Sequence, residues 1–278
     1  MTGTLFSFMA MAIGGRELSQ GLTTFQILFF RSLVGLFIIG ILISFAGIRQ
    51  IRTHHAGLHL VRNIAHFGGQ FGWFYGIAYI SLAKVFAIEF TLPVWTAILA
   101  AVILKEKLTA PRISAVVLGI TGMLIILRPG FGVMNAASLA VLAGAVCYGL
   151  SHTLTKKIAA HDPPLAILFY MTLIQLPIGF ALSLSNWVFP HPGLWPWICV
   201  VGITALSGHY CMARAFAIAP ATVVVPMDFL RLPLIALVGF AFYNESLDLF
   251  VLAGAVVMLA GNLVNIRAEQ KSGTGSRG

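Results

Sequence analysis

The chain has 278 residues, of which 59% are hydrophobic and only 9% charged, with a mean hydropathy of +0.96. Soluble domains carry about 25% charged residues, so a water-soluble enzyme or binding module is excluded and a polytopic helical membrane protein is implied. The formal charge of +9 does not point to nucleic acid, because the bases fall in short loops between apolar stretches and read as topology determinants.

About 20 apolar residues suffice to cross a bilayer, and ten such spans are predicted. The first five cover 2–20, 24–46, 57–79, 82–104 and 111–128; the second five cover 136–156, 164–184, 194–216, 219–243 and 247–266. Met1–Ile13 lacks a basic leader and makes a poor signal peptide. It reads as a retained first helix that begins late, so the start of translation could lie upstream.

On the third span, His59, Arg62, His66, Gln70 and Trp73 fall on one helical face. That polar stripe predicts a water-filled path, the alternative for His59 and Arg62 being that they reach the inner headgroups. The fourth span carries a carboxylate, Glu89, and a proline, Pro93, well inside. A charge at that depth is expensive, so Glu89 is either a site for a cation or a proton, or half of a structural ion pair with Arg62 or Arg31.

The fifth and tenth spans carry no charge at depth. Their small residues (Ala115, Gly119 and Gly122; Gly254, Ala255 and Gly261) predict close helix packing at the periphery, either within the chain or as a homodimer contact. His152 and Lys156 lie four apart on the sixth span, and His209 on the eighth falls at the repeat position of Gln70. On the ninth span Asp228 and Arg231 lie three apart and can pair with each other. Pro226 and Pro233 flank them, and such irregular segments are tolerated where they line a cavity. Alternatively, the pair opens to hold the two ends of a zwitterion. Cys147, Cys199 and Cys211 lie inside spans without metal or redox spacing, and 268–278 reads as a disordered polar tail.

The halves repeat. At an offset of 139, Glu89 meets Asp228, Phe90 meets Phe229, Glu106 meets Glu245 and Gly122 meets Gly261; Ile27-Leu28-Phe29-Phe30 recurs at Ile167-Leu168-Phe169-Tyr170. The repeats are taken as 1–130 and 135–267. Five spans per half is odd, so the second copy is inverted, a construction of secondary transporters. With the N-terminus inside, the inner loops and tail hold Arg49, Arg52, Lys105, Lys107, Arg112, Lys156, Lys157, Arg267, Lys271 and Arg277, against Arg16 and Arg128 outside. Both termini are therefore placed in the cytoplasm.

Ala78, Pro93, Glu106, Leu108, Gly119 and Gly122 in one half, with Ala217, Pro226, Glu245, Leu247, Gly254 and Gly261 in the other, resemble the EamA-type members of the drug/metabolite transporter superfamily. The resemblance runs from Phe6 to Arg267. It implies an all-α membrane protein of ten helices in two inverted five-helix repeats, with a central cavity lined by helices 1–4 and 6–9. It also implies cargo drawn from amino acids, nucleotide sugars, purines, vitamins and cationic drugs. The run Pro226–Pro233 is similar to the branch that includes uptake carriers for S-adenosylmethionine and riboflavin.

The expected function is alternating-access transport of a small polar or zwitterionic metabolite across a bacterial inner membrane. Proton coupling is open, and no cofactor or metal is called for. The candidate substrate-binding residues are Glu89, Asp228, Arg231, Arg62, His66, Gln70, Trp73, Phe90, His209 and Phe229. Export of drugs, amines or amino acids is the alternative. A channel or membrane-embedded enzyme is a distant one, because no HExxH, nucleophile elbow or P-loop is present.

Overall fold

The computed structural model describes residues 1–106, 109–129, 134–218 and 227–274; Leu108 and Pro226 of the repeat signature, and the basic residues Lys107 and Arg277, lie outside them. Of the described residues, 84% are helical. Its helices are α1 (Thr2–Leu18), α2 (Thr24–Ala46), α3 (Ala56–Tyr79), α4 (Leu82–Glu89), α5 (Leu92–Ile103), α6 (Ala110–Leu127), α7 (Ala136–Ile158), α8 (Pro164–Ser183), α9 (Trp195–Ile218), α10 (Arg231–Tyr243) and α11 (Leu249–Thr274). Seven stretches among the described residues are long and apolar enough to cross a membrane, the continuous Leu82–Ile103 segment counting as one. The tenfold span pattern is completed by α1, by α3 with its polar stripe, and by the segment that ends in α10.

Local chemistry sets the helix ends. Thr23 and Gln26 form a reciprocal capping box at the start of α2. The Asn135 side chain accepts from the Ser138 N–H at 2.8 Å at the start of α7. Pro93 stands in the first turn of α5, where its missing N–H costs nothing within that helix. Continued as one helix, the fourth span would leave the Glu89 carbonyl without its donor. It breaks instead, at Phe90 and Thr91. The ninth span breaks in the corresponding place: 227–229 form a helical turn, Leu230 leaves it, and α10 restarts at Arg231. α11 continues past Arg267 to Thr274, because Ala268, Glu269, Gln270 and Lys271 are good helix formers; the expected disordered tail is thus helical as far as it is described.

Helices of one half pack on helices of the other. α1 packs on α9, α2 on α8, α3 on α7, α6 on α11, and α4 on α10. This pairing is unchanged when the two halves are exchanged span for span, as a pseudo-two-fold requires. The pairs are antiparallel: Gly35 of α2 approaches Thr172 of α8 while Gly179 approaches Phe29, and on α6 and α11 Gly122 faces Gly254 while Leu118 faces Gly261. Spans two and seven, and five and ten, therefore run in opposite directions, which is the inversion.

Small residues permit the closest approaches. A Cβ on Gly122 would sit 2.5 Å from the Gly254 carbonyl oxygen, and one on Gly72 would strike the Ala140 carbonyl oxygen. The small-residue faces of α6 and α11 are thus spent on each other within one chain. Large apolar side chains such as Phe37, Phe45 (86% exposed), Val117 and Val256 point outward, as lipid-facing residues do.

Candidate functional site

Two loop faces stand at the ends of the bundle. On the first, Arg16 at the end of α1 donates to the Ile80 carbonyl at 2.7 Å and to Glu245 Oε1 at 2.8 Å. Glu245 Oε2 accepts the Leu82 N–H, at the start of α4, at 2.8 Å. Tyr243 donates to Glu17 at 2.7 Å, Arg16 lies over the Tyr243 ring, and Arg128 pairs with Asp248. The Arg16 and Glu245 side chains are 18% and 12% exposed.

On the second face, Glu106 accepts from Lys156 at 2.5 Å and from Arg112 at 2.8 Å. The Lys156 hydrogen bond, then that of Arg112, holds the Glu106 carboxyl below its usual range. Here Lys156 is two-thirds exposed. Arg16 and Lys156 are equivalent at an offset of 140, and Glu106 and Glu245 at 139. The same acid–base contact therefore stands on both faces, buried and capped on one, solvent-exposed on the other.

A cavity of about 470 Å³ runs from the Glu106 face into the middle of the bundle. Its mouth carries Glu106, Arg112 and Lys156, and its depth carries Glu89, Asp228 and Arg231. The helix breaks place these last three together. Arg231 Nη2 donates to Asp228 Oδ2 at 2.6 Å, and Nη1 lies 3.7 Å from Glu89 Oε1. Glu89 Oε2 accepts the Trp73 indole N–H at 2.8 Å. The rings of Phe8, Phe90 and Phe86 stand 4.9, 5.3 and 5.5 Å from the guanidinium, within cation–π range. Phe90 stacks on its repeat mate Phe229 with centroids 4.1 Å apart. Both acids share one arginine, so with all three ionised the trio is one negative charge in excess. Asp228 Oδ1 is buried without a hydrogen-bond partner.

The structure brings together most of the residues expected from the sequence. Glu89, Asp228, Arg231, Gln70, Trp73, Phe90, His209 and Phe229 line the cavity. Arg62 and His66 stand behind its wall. Arg62 donates to Thr155 of α7 at 3.0 Å and to Asn63 Oδ1 at 2.5 Å, so it is buried in a helix contact rather than reaching headgroups. His66 Nδ1 accepts from Gln70 and Gln175, each at 3.0 Å. Gln175 also donates to the Asn63 carbonyl, which fixes its amide and leaves the His66 proton on Nε2. His59 meets Asp162 of the α7–α8 loop at 2.7 Å. Burial alone would raise the Asp162 carboxyl, but hydrogen bonds from Thr53 and His59 outweigh it and hold it below its ordinary value.

Glu89 is paired with Arg231 and Trp73, not with Arg62 or Arg31. Arg31 instead lines the cavity itself, as do Tyr148 and His152. Arg31 is the residue the sequence reading undervalued. Its signal was present: it is the one charge in the apolar span 24–46, detectable by the rule that singled out Glu89.

The EamA-like transporter family model matches residues 1–128 and again 135–267. An S-adenosylmethionine uptake transporter of Rickettsia prowazekii (strain Madrid E) is 24% identical over 98% of this chain and 91% of its own. A riboflavin transporter of Brucella anthropi is 30% identical over 82% of each chain. A pseudopaline exporter of Pseudomonas aeruginosa (strain UCBPP-PA14) is 25% identical over 95% of this chain and 94% of its own. A solved crystal structure, 15% identical, overlays with a TM-score of 0.65 across 95% of this chain and 96% of that one, a likeness of fold.

Proposed function

The chain belongs to the EamA-like transporter family, and from that premise we propose a secondary carrier for a small polar or zwitterionic metabolite, working by alternating access. The observation that carries this reading is the cavity open toward Glu106 and ending at the Glu89–Arg231–Asp228 cluster, while the opposite face is latched by Arg16 and Glu245. Broken helices in corresponding positions of two inverted repeats are where such carriers hold cargo. The equivalent Lys156–Glu106 contact supplies a latch for the other face. In this reading Glu89 and Asp228 hold a cationic group or a coupling proton, and the aromatic rings form the walls.

The relatives' names favour cargo of the S-adenosylmethionine or riboflavin type. The pseudopaline exporter among them favours a second reading, export through the same cavity. Gradients rather than the fold set the direction. We read the Glu106 face and both termini as cytoplasmic, a reading supported by the excess of bases in those loops, and the membrane as a bacterial inner membrane; this state is then inward-facing. A homodimer through α6 and α11 would use their outward faces, Val117 and Val256 among them. Uptake by proteoliposomes of radiolabelled S-adenosylmethionine and riboflavin tests the reading. Glu89→Gln and Asp228→Asn should each reduce transport at least tenfold. Normal rates and an unchanged pH profile in both would make the acids structural.

A further inference from the structure

Three buried arginines stand in the membrane-spanning helices, and two of them have partners. Arg231 is held by two carboxylates and Arg62 by Thr155 and Asn63. Arg31 differs. It lies seven residues into α2, it is 4% exposed, and its side chain lines the cavity. Its Nε has no hydrogen-bond partner, and no carboxylate among the described residues lies within ion-pair distance of its guanidinium. The titratable groups near it are Arg62, of the same sign, the Tyr148 hydroxyl and the imidazoles of His66 and His209, none of them a carboxylate. A guanidinium buried in this way is costly unless something anionic meets it.

The same cavity holds the complementary deficit. Asp228 Oδ1 is buried and unpartnered, and the Glu89–Asp228–Arg231 trio carries more acid than base. One wall therefore lacks an anion and another lacks a cation or a donor. The volume, about 470 Å³, is within the range of small-molecule sites.

We propose that Arg31 is the anion subsite of the cavity: it takes the carboxylate of a zwitterionic substrate whose cationic end lies at Asp228 and Glu89. This rests on the reading of the cavity as the transport path. Guanidinium and carboxylate match as a two-pronged hydrogen-bonded pair, so recognition selects for the carboxylate as well as the charge. Arg231 cannot serve in its place while both of its acids hold it.

The probes are S-adenosylmethionine and its decarboxylated analogue, which differ by the carboxylate alone, with riboflavin as a third compound. Wild type, Arg31→Gln and Arg31→Lys are reconstituted, and uptake and competition are measured in each. A hydrogen bond to a charged group is worth about 10- to 100-fold in affinity. Wild type should prefer the carboxylate-bearing compound by roughly that factor. Arg31→Gln should bring the preference close to one, and Arg31→Lys should keep part of it. Ligand-free Arg31→Gln should melt no lower than wild type, since no hydrogen bond or ion pair is lost and an unpaired buried charge is removed.

Equal transport of the two compounds by wild type leaves the carrier intact and ends the assignment of Arg31. Transport of riboflavin alone does the same, because riboflavin has no carboxylate. A lower melting temperature of ligand-free Arg31→Gln would reveal a structural partner and also overturn it. Wild type that moves none of the three sinks the transport reading for this class of cargo, and the subsite with it.

Discussion

Glu245→Gln should unlatch the Arg16 face. In the structure Glu245 receives one charge-assisted bond from Arg16 and one from the Leu82 N–H that opens α4, each 2.8 Å long. Glutamine keeps one carbonyl oxygen, so one of the two bonds goes and the other loses its ionic character. Hydrogen bonds to charged groups are worth about 1.5–3 kcal/mol, and both side chains are less than one-fifth exposed, which limits solvent screening. A loss of about 2–3 kcal/mol multiplies the ratio of open to closed Arg16 face by roughly 30 to 150. Glu106→Gln should shift the equilibrium only a few-fold, since Lys156 is 66% exposed and exposed pairs contribute about 1 kcal/mol or less. Spin labels on cysteines placed at Gln20 and Leu247, in a background with the three native cysteines replaced by alanine, would read the distance across that face. Ligand-free wild type should give one short distance and Glu245→Gln a second, longer population. A distribution in Glu245→Gln indistinguishable from wild type, or a shift in Glu106→Gln as large as that in Glu245→Gln, would refute the latch.

Arg231→Met leaves Glu89 and Asp228 without their shared cation. Breaking a buried pair costs about 3–5 kcal/mol, so this variant should melt well below wild type, and Asp228→Asn on top of it should recover part of the loss. A double variant that melts lower still would contradict the shared-cation geometry. Gly72→Val drives a side chain into the Ala140 carbonyl and should destabilise the α3–α7 contact by about 1–3 kcal/mol or more; an unchanged unfolding temperature would mean that the two helices can separate freely. Asp162 has a lowered pKa in the folded protein, so its stabilising contribution is present above the ordinary carboxylate value of about 4 and fades as pH falls through the folded value. The melting difference between wild type and Asp162→Asn should shrink below about pH 4. A difference that grows on acidification would reverse the sign.

The broken spans were legible because the chemistry that breaks them is local. A carboxylate followed by a proline inside an apolar run marks both Glu89 with Pro93 and Asp228 with Pro233, and both segments leave the helix there. The Asp228–Arg231 pair was legible from its spacing of three. The wall against which the α3 stripe lies was not. Periodicity says that His59, Arg62, His66, Gln70 and Trp73 share a face, but not what covers it. Only Gln70 and Trp73 reach the cavity, while Arg62 and His66 are met by Thr155, Gln175 and Tyr148 from the other half. Those partners lie about a hundred residues away, and nothing in the local pattern of α3 selects them. The small residues of α6 and α11 pose the same difficulty: their pattern announces a close contact without naming the surface opposite, which proves to be each other.

Exchange of the two repeats separates the residues of the cavity and of the two loop faces into two kinds. Glu89 and Asp228, Phe90 and Phe229, Glu106 and Glu245, and Arg16 and Lys156 each have a chemically similar mate. These are the parts that a carrier needs twice, because the two end states of an inverted-repeat protein interchange the roles of its halves. Arg231 and Arg31 have no such mate: their equivalents are Leu92 and Met171. A metabolite has no two-fold axis, so a guanidinium that recognises its anionic end gains nothing from being repeated, and a second copy would bury a further charge in apolar surroundings at a cost of several kcal/mol. Arg31 is therefore where discrimination by the anionic end of a substrate should reside, and the matched latches are where the conformational cycle should; the matched acids meet the cationic end in both end states. Substitutions at Arg31 should change which compounds compete, whereas substitutions at Arg16, Glu245, Glu106 or Lys156 should change how fast every compound crosses without altering their order.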